Sequence, residues 1–321
     1  PDGLENELAM GYNLWVLRNY SDILDLAILN DRRAEIPSDY QARIEKMYNY
    51  LLYAMAPNGM VPGLNDSGNA NPTSYLEKAF AYFPERKDFQ WGATRGKEGQ
   101  VPAATSYPFP YTGHYILRSG WDSQAQYLLF DAGPYGYGHQ HEDKLSFVLW
   151  AKGSQQVLDP GNFSYDSSRW RRYVLATYGH NTVMVDGQGQ RRGSQRNTYF
   201  WPRPWQGAGP QDQDARWVST PEADFASGVY KDGYGANAAL KVTHQRGMLF
   251  LKDLGVFVVL DTLTPPDDAE HRYEALFHLD SDEAQASEGA VVSTQKPQAA
   301  NVVILPASAL QVEIVKGKTE E

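Results

Sequence analysis

The 321-residue chain contains no cysteine, which excludes disulfide bridges, thiol nucleophiles and thiolate metal sites. Any metal must therefore be held by His, Asp or Glu. Histidine is scarce too, with seven in all, so imidazole chemistry is confined to a few places. Basic residues are outnumbered, 29 Lys and Arg against 39 Asp and Glu, giving a net charge of −10. That balance argues against a nucleic-acid partner, because binding phosphates draws on clustered Lys and Arg. An anionic substrate stays open, since a local cluster such as Arg169-Trp170-Arg171-Arg172, with Arg191-Arg192 following, can outvote the global sign. No run of about eighteen uncharged apolar residues occurs, so no membrane-spanning helix is expected. The opening residues Pro1 to Glu7 lack the basic and apolar stretches of a signal peptide. A leader already removed would leave no trace, so the compartment stays open.

What is present is enough apolar surface, 42% of residues, for one large domain or two ordinary ones. The 21 tyrosines and 8 tryptophans suit a carbohydrate binder, because sugar rings stack on aromatic faces, but β-rich cores carry such residues too. Residues 8 to 57 read as two antiparallel helices, the second running from Pro37 through Ala56 with Ser38-Asp39 as its cap. Residues 58 to 113 are rich in turn formers, with one short helical piece around Ser74 to Phe83. From Tyr115 onward, strand-like runs follow one another: Tyr115 to Arg118, Tyr127 to Phe130, Ser146 to Ala151, Asn181 to Val185, and Gly247 to Leu263 in two parts. Their incomplete alternation predicts antiparallel sheets covered on both faces, as in a sandwich. The tail from Lys316 to Glu321 is polar and expected to fray.

Two of the seven histidines fall in Gly138-His139-Gln140-His141-Glu142-Asp143. On an extended backbone, alternate residues share a face, so both imidazoles could reach one cavity and serve as metal ligands or proton carriers. Taken alone, such a pair is more often a surface accident than a ligand pair. Downstream, Asp159 in Leu158-Asp159-Pro160-Gly161 and His180 in Gly179-His180-Asn181-Thr182 each place a further donor at a strand edge. The glycine-rich run Gly133 to Gly138 lacks the helix and the Lys-Ser/Thr of a phosphate loop, and is expected to bend the backbone toward a ligand.

These blocks, together with the strand from Gly113 through Asp122, the segment Ser164-Tyr165-Asp166 and the run His180-Asn181-Thr182-Val183-Met184-Val185-Asp186-Gly187, resemble the heparinase II/III-like polysaccharide lyases, a superfamily that also contains alginate lyases. The similarity covers most of residues 110 to 190 and is weaker in residues 2 to 17 and from His271 to His278. The resemblance implies an α+β chain: a partial (α/α) toroid of helices followed by a large antiparallel β-sandwich, with a helical region and linker over residues 1–105 and the sandwich with its metal site over 106–321. It implies a zinc ion, structural in role, on His141, Asp159 and His180. His139 then matches the catalytic histidine, and Tyr12 the tyrosine that serves as acid, or as acid and base. Tyr165 and Arg172 are expected to bind the sugar. The plainer alternatives are core packing for Tyr12, a turn-packing role for His139, hydrogen-bonded strand ends for the three ligands, and a solvated strand face for the arginines.

The implied reaction is β-elimination on a uronic-acid-containing glycan. The residue that would neutralise the uronate carboxylate is expected upstream of Tyr12 and before Pro1, so that the chain reads as a lyase fragment, as a chain completed by another polypeptide, or as one that departs from the family; a homo-oligomer is also open. Other readings are a uronyl C5-epimerase, a zinc-stapled non-catalytic carbohydrate-binding module, and a zinc hydrolase with an open water site. The resemblance also implies a periplasmic or secreted protein.

Overall fold

The computed structural model describes residues 2–133, 135–136, 138–192, 215–287, 290–294, 300–308 and 310–317. Helices come first: α1 (Met10–Leu29), α2 (Ser38–Ala54), α3 (Thr73–Tyr82) and α4 (Lys87–Ala93). Strands β1 (Tyr107–Phe109), β2 (His114–Arg118), β3 (Tyr127–Asp131), β4 (Phe147–Ala151) and β5 (Ser154–Val157) then form one antiparallel sheet in sequence order. After α5 (Arg169–Leu175) and β6 (Val183–Val185), a second antiparallel sheet contains β7 (Arg216–Ser219), β8 (Ala223–Tyr230), β9 (Thr243–Leu251) and β10 (Val256–Thr264). Strand β11 (Tyr273–Ala275) pairs with β6, and β12 (Glu283–Ser287), β13 (Ala290–Thr294) and β14 (Val303–Ile304) make a small third ladder. The chain is α+β.

The first sheet explains why alternation was weak in the sequence. Strands β2 and β3 are buried throughout, because both faces of the sheet are covered. Phe109, Ile116, Tyr127, Leu129, Val148 and Trp150 join the core of the helices. Their neighbours Tyr115, Leu117, Leu128, Phe130, Phe147 and Leu149 join Ala226, Met248 and Phe250 of the second sheet. Full burial of an aliphatic such as Ile116 or Leu129 contributes roughly 1.5–3 kcal/mol. The helices are also fixed to the sheet by polar contacts at the end of α2, where Tyr127 donates to the Ala54 carbonyl at 2.7 Å and the buried Arg118 guanidinium to that of Met55. These orphan carbonyls of a helix terminus thus find donors in a strand.

Helix α1 buries Met10, Asn13, Leu17, Ser21 and Leu24, a stripe at three- and four-residue spacing, while Trp15, Ile23 and Leu26 stay exposed. The cap expected from Ser38-Asp39 is not made: Pro37 is the capping residue, no side chain caps this end, and the Pro37 carbonyl accepts from Tyr40 and Gln41. Helix α4 carried no clear periodic signal in seven residues. The arginine cluster is not on a strand, as expected from the sequence, but on α5, whose first turn is capped by Ser168 Oγ accepting from the Arg171 amide at 3.1 Å. The tail from Lys318 onward lies outside the described residues, as do Pro134 and Tyr137 of the glycine-rich run.

Candidate functional site

Four distant segments meet at one place: residues 5–12 before and within α1, the turn at Asn65-Asp66-Ser67, the loop from Gly138 to His141, and the stretch from Asp159 into α5. The stitching is mostly by backbone. The His141 amide donates to Asn65 Oδ1 at 3.0 Å, and Asn65 Nδ2 donates to the Leu8 carbonyl at 3.1 Å. The Asp66 amide donates to the His139 carbonyl at 3.2 Å, the Gly11 amide to Ser67 Oγ at 2.8 Å, and the Asn162 amide to the Ser67 carbonyl at 3.2 Å. Gln140 Nε2 reaches the Glu7 carbonyl. At Gly136 a Cβ would stand 2.5 Å from the Asn6 carbonyl oxygen, so glycine is needed where this loop closes on the amino-terminal segment. The glycine run therefore serves approach to the protein's own backbone.

The loop is not extended. Gly138 and His139 both take left-handed backbone angles, φ 65° and 48°, a region histidine enters at some cost. This reverses the expectation that His139 and His141 share a face. The His139 imidazole instead lies flat on the Tyr12 ring, centroids 3.8 Å apart and planes 18° from parallel. Its Nδ1 meets Glu7 Oε2 at 3.0 Å, and the side chain keeps 28% of its surface exposed. Nε2 has no hydrogen-bond partner among the described residues. The Tyr12 and Tyr165 hydroxyls are 2.9 Å apart, and the Tyr165 ring stands edge-on to His139 with centroids at 6.2 Å. Burial of its hydroxyl, followed by the hydrogen bond with Tyr12, pushes the Tyr165 phenol well above its ordinary range. Tyr165 therefore holds its proton and can donate it to the Tyr12 oxygen.

Arg171, rather than Arg172, is the arginine drawn into this cluster. Its guanidinium lies 4.8 Å from the Tyr165 ring centre and grips Asp66 through both terminal nitrogens, Nη2 to Oδ2 at 2.8 Å. Burial works against ionising Asp66, but Arg171 and His141 outweigh it and hold the carboxyl far below the usual range. Arg172 is exposed and donates to the Ser167 carbonyl at 3.1 Å.

Behind the site lie the three sequence-chosen metal donors. His141 Nε2 contacts Asp66 Oδ1 at 2.9 Å, while its Nδ1 is buried with no partner. His180 Nε2 donates to the Val174 carbonyl at 3.0 Å, and its Nδ1 meets Asp159 Oδ2 at 2.7 Å. The two imidazoles have centroids 5.3 Å apart. Burial keeps His141 in its neutral form, with the pull of Asp66 too weak to reverse it. As placed, no three His, Asp or Glu side chains among the described residues converge at a metal-holding spacing. The donor chemistry nonetheless fits zinc in part: His141 Nε2 faces the Asp66 acceptor, which directs its lone pair to the orphaned Nδ1, whereas His180 faces an acceptor at both nitrogens and would have to release the Nδ1 proton, with Asp159 turning from partner to fellow ligand, to bind a metal.

Sequence reasoning missed Glu7, Asp66 and Arg171. The last lay within the cluster already singled out; the first two are single carboxylates without motif or spacing.

Family models cover most of the chain. One described as Heparinase II/III-like, C-terminal, matches residues 102–319, and one described as Heparinase II/III N-terminus matches residues 1–91. A heparin-sulfate lyase of Bacteroides stercoris is 28% identical over 197 residues, which is 58% of this chain and 29% of that protein. An alginate lyase of Stenotrophomonas maltophilia is 28% identical over 177 residues, 52% of this chain and 22% of that protein. The crystal structure of the heparan sulfate lyase HepC from Pedobacter heparinus superposes with a TM-score of 0.78 at 22% identity, covering 97% of this chain and 46% of that one. The matches thus take in less than half the length of these relatives.

Proposed function

The chain belongs to the heparinase II/III-like family, and on that premise we propose that it is a polysaccharide lyase cleaving a uronic-acid-containing glycan by β-elimination. The observation that carries this reading is the Tyr12 phenol stacked on the His139 imidazole while its hydroxyl meets that of Tyr165. A proton donor and a proton acceptor lie side by side on an exposed face, which is what elimination requires.

His139 Nε2 takes the C5 proton, the C4–O bond breaks as the C4–C5 double bond forms, and the Tyr12 hydroxyl returns a proton to the departing oxygen. Where the C5 proton and the leaving group lie on the same side, Tyr12 performs both transfers and His139 faces the carboxylate. The sum is one broken chain and one unsaturated uronate, with no co-reactant. The high proton affinity of the Tyr165 phenol supports its part as a donor that steadies negative charge on the Tyr12 oxygen. The exposed Arg172 guanidinium is suited to a uronate carboxylate or sulfate further along the polymer. The residue that neutralises the uronate at the reacting centre belongs to sequence outside these 321 residues, a reading supported by the greater length of the relatives.

His141, Asp159 and His180 would hold zinc, a staple that pins the loop behind His139 when bound. In the same reading, the helices of residues 1–105 close an (α/α) toroid, the facing sheets of 106–321 form a β-sandwich, and the protein works in the periplasm or outside the cell, where such polymers are met.

The test is incubation of the metal-loaded complete protein, neutralising residue included, with heparan sulfate, alginate and other acidic glycans while following the ultraviolet absorbance of unsaturated uronate. Absorbance on one of them is expected; none on any would refute the reading. Deuterium uptake from heavy water without cleavage would identify an epimerase instead.

A further inference from the structure

We propose that Glu7 is the positioning residue of the site: through the 3.0 Å contact of its Oε2 with Nδ1, it fixes His139 in the tautomer whose Nε2 lone pair faces outward. The inference rests on the reading of His139 as the base. A neutral imidazole carries one N–H, on either nitrogen. A carboxylate only accepts, so an ionised Glu7 draws that hydrogen to Nδ1 and leaves Nε2 bare. Without this partner the hydrogen distributes over both nitrogens, and a share of the molecules would present N–H where a proton must be taken up.

Glu7 itself is well placed for this. Its amide donates to Glu5 Oε2 at 2.6 Å, and its carbonyl accepts from Gln140 Nε2, one residue from His139. Two contacts thus join the same two short segments, one between side chains and one through backbone. The ring has little freedom to turn away, since Tyr12 covers one face at 3.8 Å and Tyr165 stands at its edge. Both segments turn sharply at this point, with left-handed backbone at His139, φ 48°, and at Leu8 beside Glu7, φ 54°. The other carboxyl beside Glu7 is Glu5, which reaches the Glu7 amide and not His139.

The tautomer can be read directly. With histidine labelled by 15N, long-range proton–nitrogen correlation spectra of the full chain at neutral pH distinguish bare from protonated nitrogens, and His139→Ala assigns the signal among the seven histidines. The expected result is a bare Nε2 and a protonated Nδ1 in the parent, with mixed signals in Glu7→Gln. On the glycan that is cleaved, Glu7→Gln should lower kcat about 10- to 100-fold, as loss of a ligand-orienting partner does elsewhere, with KM within about twofold. A parent with its hydrogen on Nε2, or a Glu7→Gln variant whose His139 signals are unmoved, would overturn the proposal. The parent's tautomer decides the matter even if the variant folds poorly. A parent that cleaves no acidic glycan would refute the lyase reading while leaving the tautomer as a separate, measured answer.

Discussion

The rings of Tyr12 and His139 lie face to face at 3.8 Å, although one begins a helix and the other sits in a turn 127 residues later by their numbering. Stacking of this kind contributes about 0.5–1.5 kcal/mol beyond the area it buries, so each ring holds the other in place. The hydroxyl of Tyr12 can therefore be removed without removing the contact that orients His139.

Tyr12→Phe is expected to keep the stack and the fold, with a melting temperature within a few degrees of the parent, while turnover falls roughly 10²- to 10⁴-fold. Paired thermal melts and unsaturated-uronate assays check this. A variant retaining most of its turnover would remove Tyr12 from the chemistry.

The neighbouring arginines should separate in kinetics. Arg172→Ala, on an exposed guanidinium, is expected to raise KM several-fold with kcat nearly constant. Arg171→Ala leaves Asp66 without its ion pair at a point where the carboxylate is almost wholly buried, and is expected to cost about 3 kcal/mol or more of stability and to lower kcat. Denaturant titrations beside initial-rate measurements distinguish the two.

Elemental analysis should find one zinc per chain, and chelation should lower the melting temperature by several degrees, reversibly on adding zinc back. His141→Ala and His180→Ala should each bind none. If chelated protein melts as before yet loses turnover, the metal is catalytic and the staple reading fails.

Burial, with the nearby Glu7 charge adding to it, pushes the Glu5 carboxyl from the ordinary 4.5 up to about 7. Below 4.5 it is protonated folded or unfolded, and costs nothing. Between about 4.5 and 7 the folded state binds a proton that the unfolded state has released, so stability falls as pH rises, and above 7 the full penalty, roughly 3 kcal/mol at most, is present. Glu5→Gln should flatten this part of the stability profile and raise stability at pH 8, measured by urea unfolding across that range. A parent profile flat from pH 5 to 8 would contradict it.

Lys144, 2% exposed at its side chain, pairs with Asp131 at 2.6 Å and Asp143 at 3.4 Å where the loop carrying His139 and His141 returns to β4. Lys144→Met removes the cation that, among the described residues, pairs with both carboxylates, and is expected to cost about 3–5 kcal/mol, seen as a drop in the urea midpoint. A neutral effect would mean that Asp131, already raised to about 6 chiefly by burial, simply takes up a proton.

The order of elements was readable because the first helices carry apolar residues at three- and four-residue spacing and the strand-like runs are bounded by turn residues. Strands β2 to β4 emerged to within a residue at each end, and the run from Gly247 to Leu263 found β10 but only the second half of β9, which begins at Thr243, whereas β8, with Asp224 and Gly228 inside an eight-residue run, did not resemble a strand. In the site, Tyr12, His139 and Tyr165 could be named from linear blocks. Their relation could not: the face-sharing argument for His139 and His141 assumes extended backbone, and two successive left-handed residues send the rings to Tyr12 and to Asp66 instead. Glu7 and Asp66 stayed hidden because a lone carboxylate gains meaning only from a partner that the sequence places far away.

That separation has a consequence for how the protein comes to be active. The Glu7–His139 contact spans 132 residues and the Tyr12–Tyr165 contact 153, while the first sheet is built from hairpins between successive strands. Closing long loops costs entropy that local pairings do not. Helices and hairpins close shorter loops than the site does, so their contacts form at lower entropic cost, and the site is the part of the fold that depends most on the rest being in place.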